Sequence, residues 1–273
     1  ESIVKNVAPD VERHYIPHAV DGNTFKKYPD QEVKDFINQN FKQHEGKKIF
    51  FWNNRNARRK MSGSVVAWFN EFANKVGPDN VCLIMHTDVK DPHGQDLEQI
   101  IKGMGADDGR IMFTTEKFPP EVLAMLYNMS TCTINIADAE GFGLATLESL
   151  SCETPIIVNM TGGLQEQVTD GKEWFGIGLE PASKAVIGSQ QVPYIYEDRV
   201  SGDEFIAALE KIYNMSDEEI KQLGSKGRKH VESNYNFKDY EQRWINLMDD
   251  VYEKYGSWSN RKGYKPWELR EVS

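Results

Sequence analysis

The sequence predicts an α/β fold, an open doubly wound parallel sheet followed by C-terminal helices. Three observations predict it. Short apolar runs alternate with amphipathic segments of helical period, the pattern of strands joined by crossover helices. Glycine and proline punctuate the junctions between them, as at Pro119-Pro120, Pro155 and Gly162-Gly163. With 273 residues of which 39% are hydrophobic, the chain is long enough to bury one sizeable core.

A loop rich in Pro and Asp runs from Ala8 to Pro29. The first buried strand is expected at Lys48-Ile-Phe-Phe-Trp52, followed by a helix from Ser64 through Val76. There Val65, Val66, Trp68, Phe69 and Phe72 recur at helical spacing and form a core stripe. The next strand covers Asn80 to His86 and its helix lies near Asp96 to Met104. A third strand, Arg110 to Thr114, precedes a helix over Glu121 to Met129 that the proline pair opens. Cys132-Thr-Ile-Asn-Ile136 gives a fourth strand, and the helix beyond it ends near Cys152-Glu153, where Pro155 stops it. Pro155 to Asn159 gives a fifth strand, after which Gly162-Gly163 opens another helix.

Beyond Val168 the pattern loosens. Trp174 to Leu179 and Val192 to Tyr196 read as short strand-like pieces. Gly202 to Tyr213, Asp217 to Ser233 and Phe237 to Tyr255 read as helices, the second opened by a capping box, Ser216-Asp-Glu-Glu219. Trp258 and Trp267 stand among polar residues in the tail, which is expected to pack on something, within this chain or outside it. The domain division expected is 1–234 for the sheet domain and 235–273 for a final helix and tail.

Charge and cysteine usage narrow the function. Forty-two acidic side chains against 32 basic ones give a net charge of −10, which disfavours nucleic acid and anionic membrane as partners. Cys82, Cys132 and Cys152 have no metal-ligand spacing and sit in or beside apolar segments, so reduced buried thiols and a cytoplasmic setting are expected. No stretch approaches the roughly 18 to 20 apolar residues that span a bilayer. The start, Glu1-Ser-Ile-Val, has no signal-peptide pattern and lacks Met, as in an excised or processed piece. Chance is the expected reading of the sequons at Asn128, Asn159 and Asn214. The histidines form no ligand set, Ser149 and Ser151 have no neighbouring His, and the Gly-x-Ser-x-Gly elbow is missing, so metal and serine-hydrolase chemistry are not expected.

The chemistry concentrates in two stretches. Ala139-Glu-Gly-Phe-Gly-Leu-Ala-Thr-Leu-Glu148 places two glycines where a strand turns into a helix, beyond the carboxyl end of the sheet where ligands bind in this architecture. Gly141 and Gly143 allow close backbone approach, and the amides of Gly143, Leu144 and Ala145 at a helix start can hold an anion. If Glu140 and Glu148 were both helical, eight steps of about 100° would leave them roughly 80° apart around the axis. With Glu140 on the loop and Glu148 on the helix, the carboxylates suit hydroxyl groups at the two ends of a ligand whose phosphates lie between. A nucleotide sugar has that form. The alternative is a dipole-favoured Glu140 and a solvated Glu148. The second stretch, Trp52-Asn-Asn-Arg-Asn-Ala-Arg-Arg-Lys-Met61, follows the first strand on the same edge. Its Arg55, Arg58, Arg59 and Lys60 could neutralise a diphosphate or form a solvated basic turn.

Together these residues resemble the donor-binding half of a retaining glycosyltransferase of the GT-B fold, family 4, the group 1 glycosyl transferases. The resemblance also rests on Tyr15-Ile-Pro-His-Ala-Val-Asp21, Cys152-Glu-Thr-Pro-Ile-Ile-Val158 and Gly162-Gly-Leu-Gln-Glu166, and it extends from about Tyr15 to Tyr255. It implies a Rossmann-like half of a GT-B enzyme that uses a nucleoside-diphosphate sugar as substrate, without a metal or other cofactor. Glu140 would meet hydroxyls of the transferred sugar, Glu148 the ribose, and Arg55 and Lys60 the diphosphate. Amides from Phe142 to Leu144 would meet the phosphate nearest the sugar. The base would lie near His86 and Phe113 to Thr115, with Thr114 among the donor contacts. The resemblance further implies an N-terminal acceptor domain that this chain lacks. Asn54 and Met61 stand where the family has glycines, and Asn135-Ile-Ala-Asp-Ala-Glu140 replaces a run that often holds Pro-Ser. An epimerase of the same fold, or a nucleotide-sugar binding module without turnover, are the alternatives.

Overall fold

The computed structural model describes residues 2–188, 190–260, 262 and 263. They divide into two compact units, one made of Val20–Asn234 and the other of the described residues within 1–19 and 235–273.

The larger unit is built on six parallel strands. They are β1 (Lys48–Asn53), β2 (Val81–His86), β3 (Ile111–Thr114), β4 (Cys132–Asn135), β5 (Ile156–Asn159) and β6 (Gly176–Leu179). Their order, β3-β2-β1-β4-β5-β6, is that of a doubly wound nucleotide-binding sheet. The chain runs outward from β1 in one direction, then returns to its other side at β4. That reversal leaves a crevice between the carboxyl ends of β1 and β4, the switch point where such sheets take ligands.

Strands this short stay in register because both faces are buried. Phe50, Phe51, Trp52, Leu83, Ile84, Met85 and Ile134 have no solvent exposure, so a slip of one residue would tear apart packing on both sides. On one face lies the helix Ser62–Val76, whose Phe69 and Phe72 pack edge-on against Phe50 at 5.7 and 5.6 Å between ring centroids. The helix Gly202–Asn214 joins that layer, and Phe205 meets Trp68 at 5.9 Å. The aromatic stripe expected on the first of these helices is therefore core. Removing a ring such as Phe50 would cost about 3 to 5 kcal/mol.

Helices Pro120–Met129 and Leu144–Ser151 belong to the other crossovers of the sheet. The long helix Asp217–Asn234 approaches the C-terminal end of the latter through two glycines. A Cβ at Gly224 would stand 1.8 Å from the Glu153 carbonyl oxygen, and one at Gly227 would stand 2.6 Å from Leu150. The expected capping box forms there. Ser216 Oγ accepts from Glu219 N–H at 3.3 Å, while the Glu219 carboxylate accepts from Ser216 N–H at 2.8 Å.

Two elements depart from the sequence expectation. A helix over Asp30–Asn40 was not expected, because its apolar side rests on Val33, Phe36 and Ile37 alone among polar residues. An antiparallel hairpin, β7 (Ser183–Ile187) with β8 (Ile195–Arg199), replaces the strand piece expected at Val192 to Tyr196. The period was masked because its buried residue is a charge. Glu197 is 2% exposed and is held by Arg58. The three cysteines are buried and free, as expected. Asn128 and Asn159 are buried as well, which removes two of the three sequons from the surface.

In the smaller unit, the helix Phe237–Tyr255 is capped by Asn236, whose side chain accepts from Asp239 N–H at 2.9 Å. Lys254 pairs with Glu12 in the same unit at 2.5 Å. Trp258 is 87% exposed, and Trp267 lies outside the described residues. Among the described residues no helix is long and apolar enough to cross a membrane.

Candidate functional site

The switch point brings together the two stretches that the sequence singles out. After β1 the chain leaves the sheet through Asn54 to Met61, with a 3₁₀ turn at Arg58–Lys60. After β4 it passes through Ile136 to Gly143 before the helix Leu144–Ser151 begins. The two loops are stitched directly. Asp138 N–H donates to the Arg59 carbonyl at 2.8 Å, and an Arg59 guanidinium nitrogen donates to the Ala139 carbonyl at 2.6 Å. Between them the Lys60 ammonium forms an ion pair with the Glu140 carboxylate. Both side chains are about nine-tenths buried, at 10% and 9% exposure.

Burial pushes the Lys60 ammonium below its ordinary pKa, and the Glu140 hydrogen bond acts against that shift. Lys60 also donates to Asn54 Oδ1 at 2.8 Å. Asn54 therefore serves as a partner for the lysine that a glycine could not provide. Met61, the other replaced position, has φ +59. A left-handed backbone costs a non-glycine residue roughly 1 to 2 kcal/mol, so a glycine, which the resemblance expects here, would suit this backbone better than Met61.

The glycine turn separates into two roles. Gly143 has φ +91, and a Cβ there would lie 2.6 Å from Leu164, so conformation and packing both require glycine. Gly141 has no such constraint: nothing in the chain lies within 4 Å of where its Cβ would be. The turn is braced from behind by Gly162 and Gly163. Their added Cβ atoms would stand 1.7 Å from the Glu140 carbonyl oxygen and 2.7 Å from that of Phe142. Gln167 donates to the Phe142 carbonyl at 2.8 Å and fixes the turn's far side. Leu144, the first residue of the helix, is 49% exposed, and among the described residues no side-chain hydrogen bond caps the helix start. The positive end of that helix thus faces the crevice with its first-turn amides uncapped by side chains.

Glu140 lies on the loop and Glu148 on the helix, as expected. The solvated reading of Glu148 fails. Its carboxylate accepts from the Tyr127 hydroxyl at 2.8 Å, and burial pushes its pKa up to about 7. Tyr127 is itself fully buried on Pro120–Met129 and accepts from Asn53 Nδ2 at 2.8 Å.

Each basic residue of the turn has a partner, but the Arg55, Arg58 and Arg59 side chains stay 62%, 58% and 45% exposed, and of the four only Lys60 is buried. Arg55 grips Asp91 through two nitrogens, at 2.6 and 3.1 Å, and its guanidinium lies 2.9 Å from His93 Nδ1. The Arg55 hydrogen bond holds the Asp91 carboxyl well below the usual carboxylate range. Arg58 binds Glu197 of the hairpin, one of its nitrogens at 2.9 Å. Behind this pair Arg199 lies 3.4 Å from Glu197 and 3.8 Å from Asp138. Asp138 is buried without a side-chain hydrogen-bond partner among the described residues, and its pKa is pushed up to about 6 by burial.

Thr114 stands apart from this cluster. It lies on the edge strand β3, where its hydroxyl is 2.9 Å from His86 Nδ1, and His86 stacks on Phe118 at 5.1 Å. Sequence reasoning did not find Asp91, Glu197, Tyr127 or Asn53, because each acts through a residue distant in the chain. Among the described residues no group of three His, Cys, Asp or Glu is placed to hold a metal ion.

Comparison with known proteins places this geometry in context. A family model described as Glycosyl transferases group 1 matches residues 33–230. A D-inositol 3-phosphate glycosyltransferase of Acidothermus cellulolyticus is 37% identical over 108 residues, covering 39% of this chain and 24% of the relative. One of Frankia alni is 33% identical over 100 residues, covering 34% of this chain and 24% of the relative. The matched region thus spans about a quarter of the curated relatives' length. Among solved structures, sucrose-phosphate synthase from Thermosynechococcus elongatus superimposes with a TM-score of 0.71 at 19% identity, over 92% of this chain and 56% of that one. The C-terminal domain of a glycosyl transferase group 1 family protein from Francisella tularensis gives 0.61 at 19% identity, over 80% of this chain and 99% of that domain. These likenesses establish the shared fold.

Proposed function

The chain belongs to the glycosyl transferases group 1 family, and on that premise we propose that it binds the nucleoside-diphosphate sugar for a transferase that retains the anomeric configuration. The observation that carries this reading is the Lys60–Glu140 pair, set at the switch point beside the uncapped helix start. A cation, a row of amides and a carboxylate then stand within one loop pair. A sugar diphosphate needs that combination, because its phosphates take the donors and its sugar hydroxyls take the carboxylate.

In this reading Arg55 and Lys60 meet the diphosphate, together with the amides of Phe142, Gly143 and Leu144. Glu140 accepts from hydroxyls of the sugar, and Glu148 accepts from the ribose. Thr114 and His86 stand toward the base. The bond between the anomeric carbon and the phosphate oxygen breaks, and its electron pair leaves with the diphosphate. The acceptor hydroxyl oxygen bonds to the same face of the carbon and passes its proton to the departing phosphate oxygen. Charge on the departing diphosphate grows as that bond lengthens, so Lys60, Arg55 and the helix start stabilise the transition state more than the ground state. These groups supply the positive charge, and no metal or other cofactor enters the reading. The acceptor would be held by a further domain, which the greater length of the relatives supports.

Calorimetric titration of this chain with UDP, GDP and ADP tests the reading. At least one should bind, and Arg55→Ala with Lys60→Ala should abolish that binding. No binding of any of the three would sink it.

A further inference from the structure

Tyr127 has no place in the roles assigned so far, yet it is fully buried and hydrogen-bonded to a site residue, Glu148. Its ring is wedged between Phe51 of β1 and Phe25, at 5.1 and 6.1 Å between centroids. The hydroxyl cannot turn away, because Asn53 Nδ2 occupies its lone pair at 2.8 Å and its proton goes to Glu148 Oε2 at 2.8 Å. Asn53 closes β1, Tyr127 lies on the helix Pro120–Met129 and Glu148 lies on the helix Leu144–Ser151, so three elements meet in one relay. A phenol has one proton to donate, and here it has one acceptor. Among the described residues no group donates to the other carboxylate oxygen, Oε1.

Resting on the donor-site reading above, we infer that Tyr127 is a positioning residue: it fixes Glu148 by one oxygen so that the other is presented to the ribose diol, which sets the preference for a ribonucleotide. A carboxylate free to rotate would lose entropy on meeting the two hydroxyls, whereas a carboxylate already pinned loses little. The hydrogen bond also favours the ionised form that accepts both hydroxyls. The groups surrounding Glu148 do not supply that preference. Cys152 at the end of its own helix stays a neutral thiol, and the charges nearby, Glu153 next to it in the chain, Arg228 of the packed helix Asp217–Asn234 and Lys27 before Asp30, act on Cys152.

The test compares a ribonucleoside diphosphate with its 2′,3′-dideoxy counterpart across pH, using this chain and calorimetry. The wild type should prefer the ribonucleotide, and the preference should grow as pH rises through about 7. Tyr127→Phe should cut that preference about tenfold near neutral pH and move the midpoint of its rise to higher pH. A purely structural role would weaken both ligands equally and leave the midpoint in place. That result overturns the inference while leaving the donor site intact. Asn53→Ala, which keeps the phenol but frees it, should shift the midpoint in the same direction by a smaller amount. If Tyr127→Phe does not fold, an unchanged preference and midpoint in Asn53→Ala overturns the inference. Failure of the wild type to bind either nucleotide would overturn the donor-site reading itself.

Discussion

Lys60 and Glu140, 80 residues apart in the chain, form a nine-tenths buried ion pair that closes the gap between the loops after β1 and β4. The pair lies in an acidic protein whose other nearby cations are also engaged, Arg55 by Asp91 and Arg58 by Glu197. In the proposed function a diphosphate meets Lys60 and a sugar meets Glu140, so ligand binding adds partners to a pair that is already assembled.

Removing Lys60 leaves the buried Glu140 carboxylate with the half-exposed Arg59, 3.8 Å away, as its remaining cation and the Gly141 N–H, at 3.1 Å, as a donor. Lys60→Ala should destabilise the chain by about 3 kcal/mol and abolish nucleotide binding. Lys60→Ala with Glu140→Ala should recover part of the stability and none of the binding. Urea unfolding and calorimetry on the same samples separate the two effects, and recovery of binding in the double variant would contradict the assignment.

The two glycine positions predict opposite behaviour. At Gly162, φ is +51 and a Cβ would strike the Glu140 carbonyl, so Gly162→Ala should cost about 2 to 4 kcal/mol. At Gly141 the space is open. Gly141→Ala should leave the melting temperature unchanged yet weaken nucleotide binding at least about tenfold, because the added methyl would stand where phosphate approaches. A Gly141→Ala protein that binds normally would place the phosphates elsewhere.

Glu148 titrates against stability. Its folded pKa, about 7, stands above the 4.5 of a free side chain because of burial. Between these values the folded state holds a proton that the unfolded state has lost. The contribution is therefore full below about pH 4.5 and lost as pH rises toward 7. Asp138, with its pKa at about 6, acts in the same sense. Glu148→Gln should flatten part of this slope and stabilise the chain at about pH 8 by roughly 2 to 3 kcal/mol. Chemical denaturation over that range checks the sign, and a steeper slope in the variant would contradict it.

Arg55 is aimed by its partner. Asp91→Ala should lower nucleotide affinity several-fold even though the cation remains, because the two-nitrogen grip that orients the guanidinium is gone. Titration of this variant beside Arg55→Ala checks the order expected: wild type tightest, then Asp91→Ala, then Arg55→Ala.

Much of this was legible in the sequence for a physical reason. The six strands are buried runs bounded by Gly and Pro, and Gly143 marks its turn because only glycine tolerates that φ so readily. The loop charges Arg55, Lys60 and Glu140 cluster in short stretches, so local reading finds them. Tyr127 carries no local signal in the sequence, since nothing nearby announces that its hydroxyl meets Glu148, 21 residues on. Asp91 and Glu197 escaped in the same way. The hairpin escaped because a buried glutamate, neutralised by Arg58 from 139 residues earlier, breaks the alternation that betrays a strand.

Backbone amide exchange, measured with and without a saturating amount of whichever of UDP, GDP and ADP binds tightest, tests the central claim most directly. Protection should rise at residues 54–61 and 139–146, the loops after β1 and β4, and change little along the helix Phe237–Tyr255. Binding that protects other segments and leaves those two loops untouched would contradict the account.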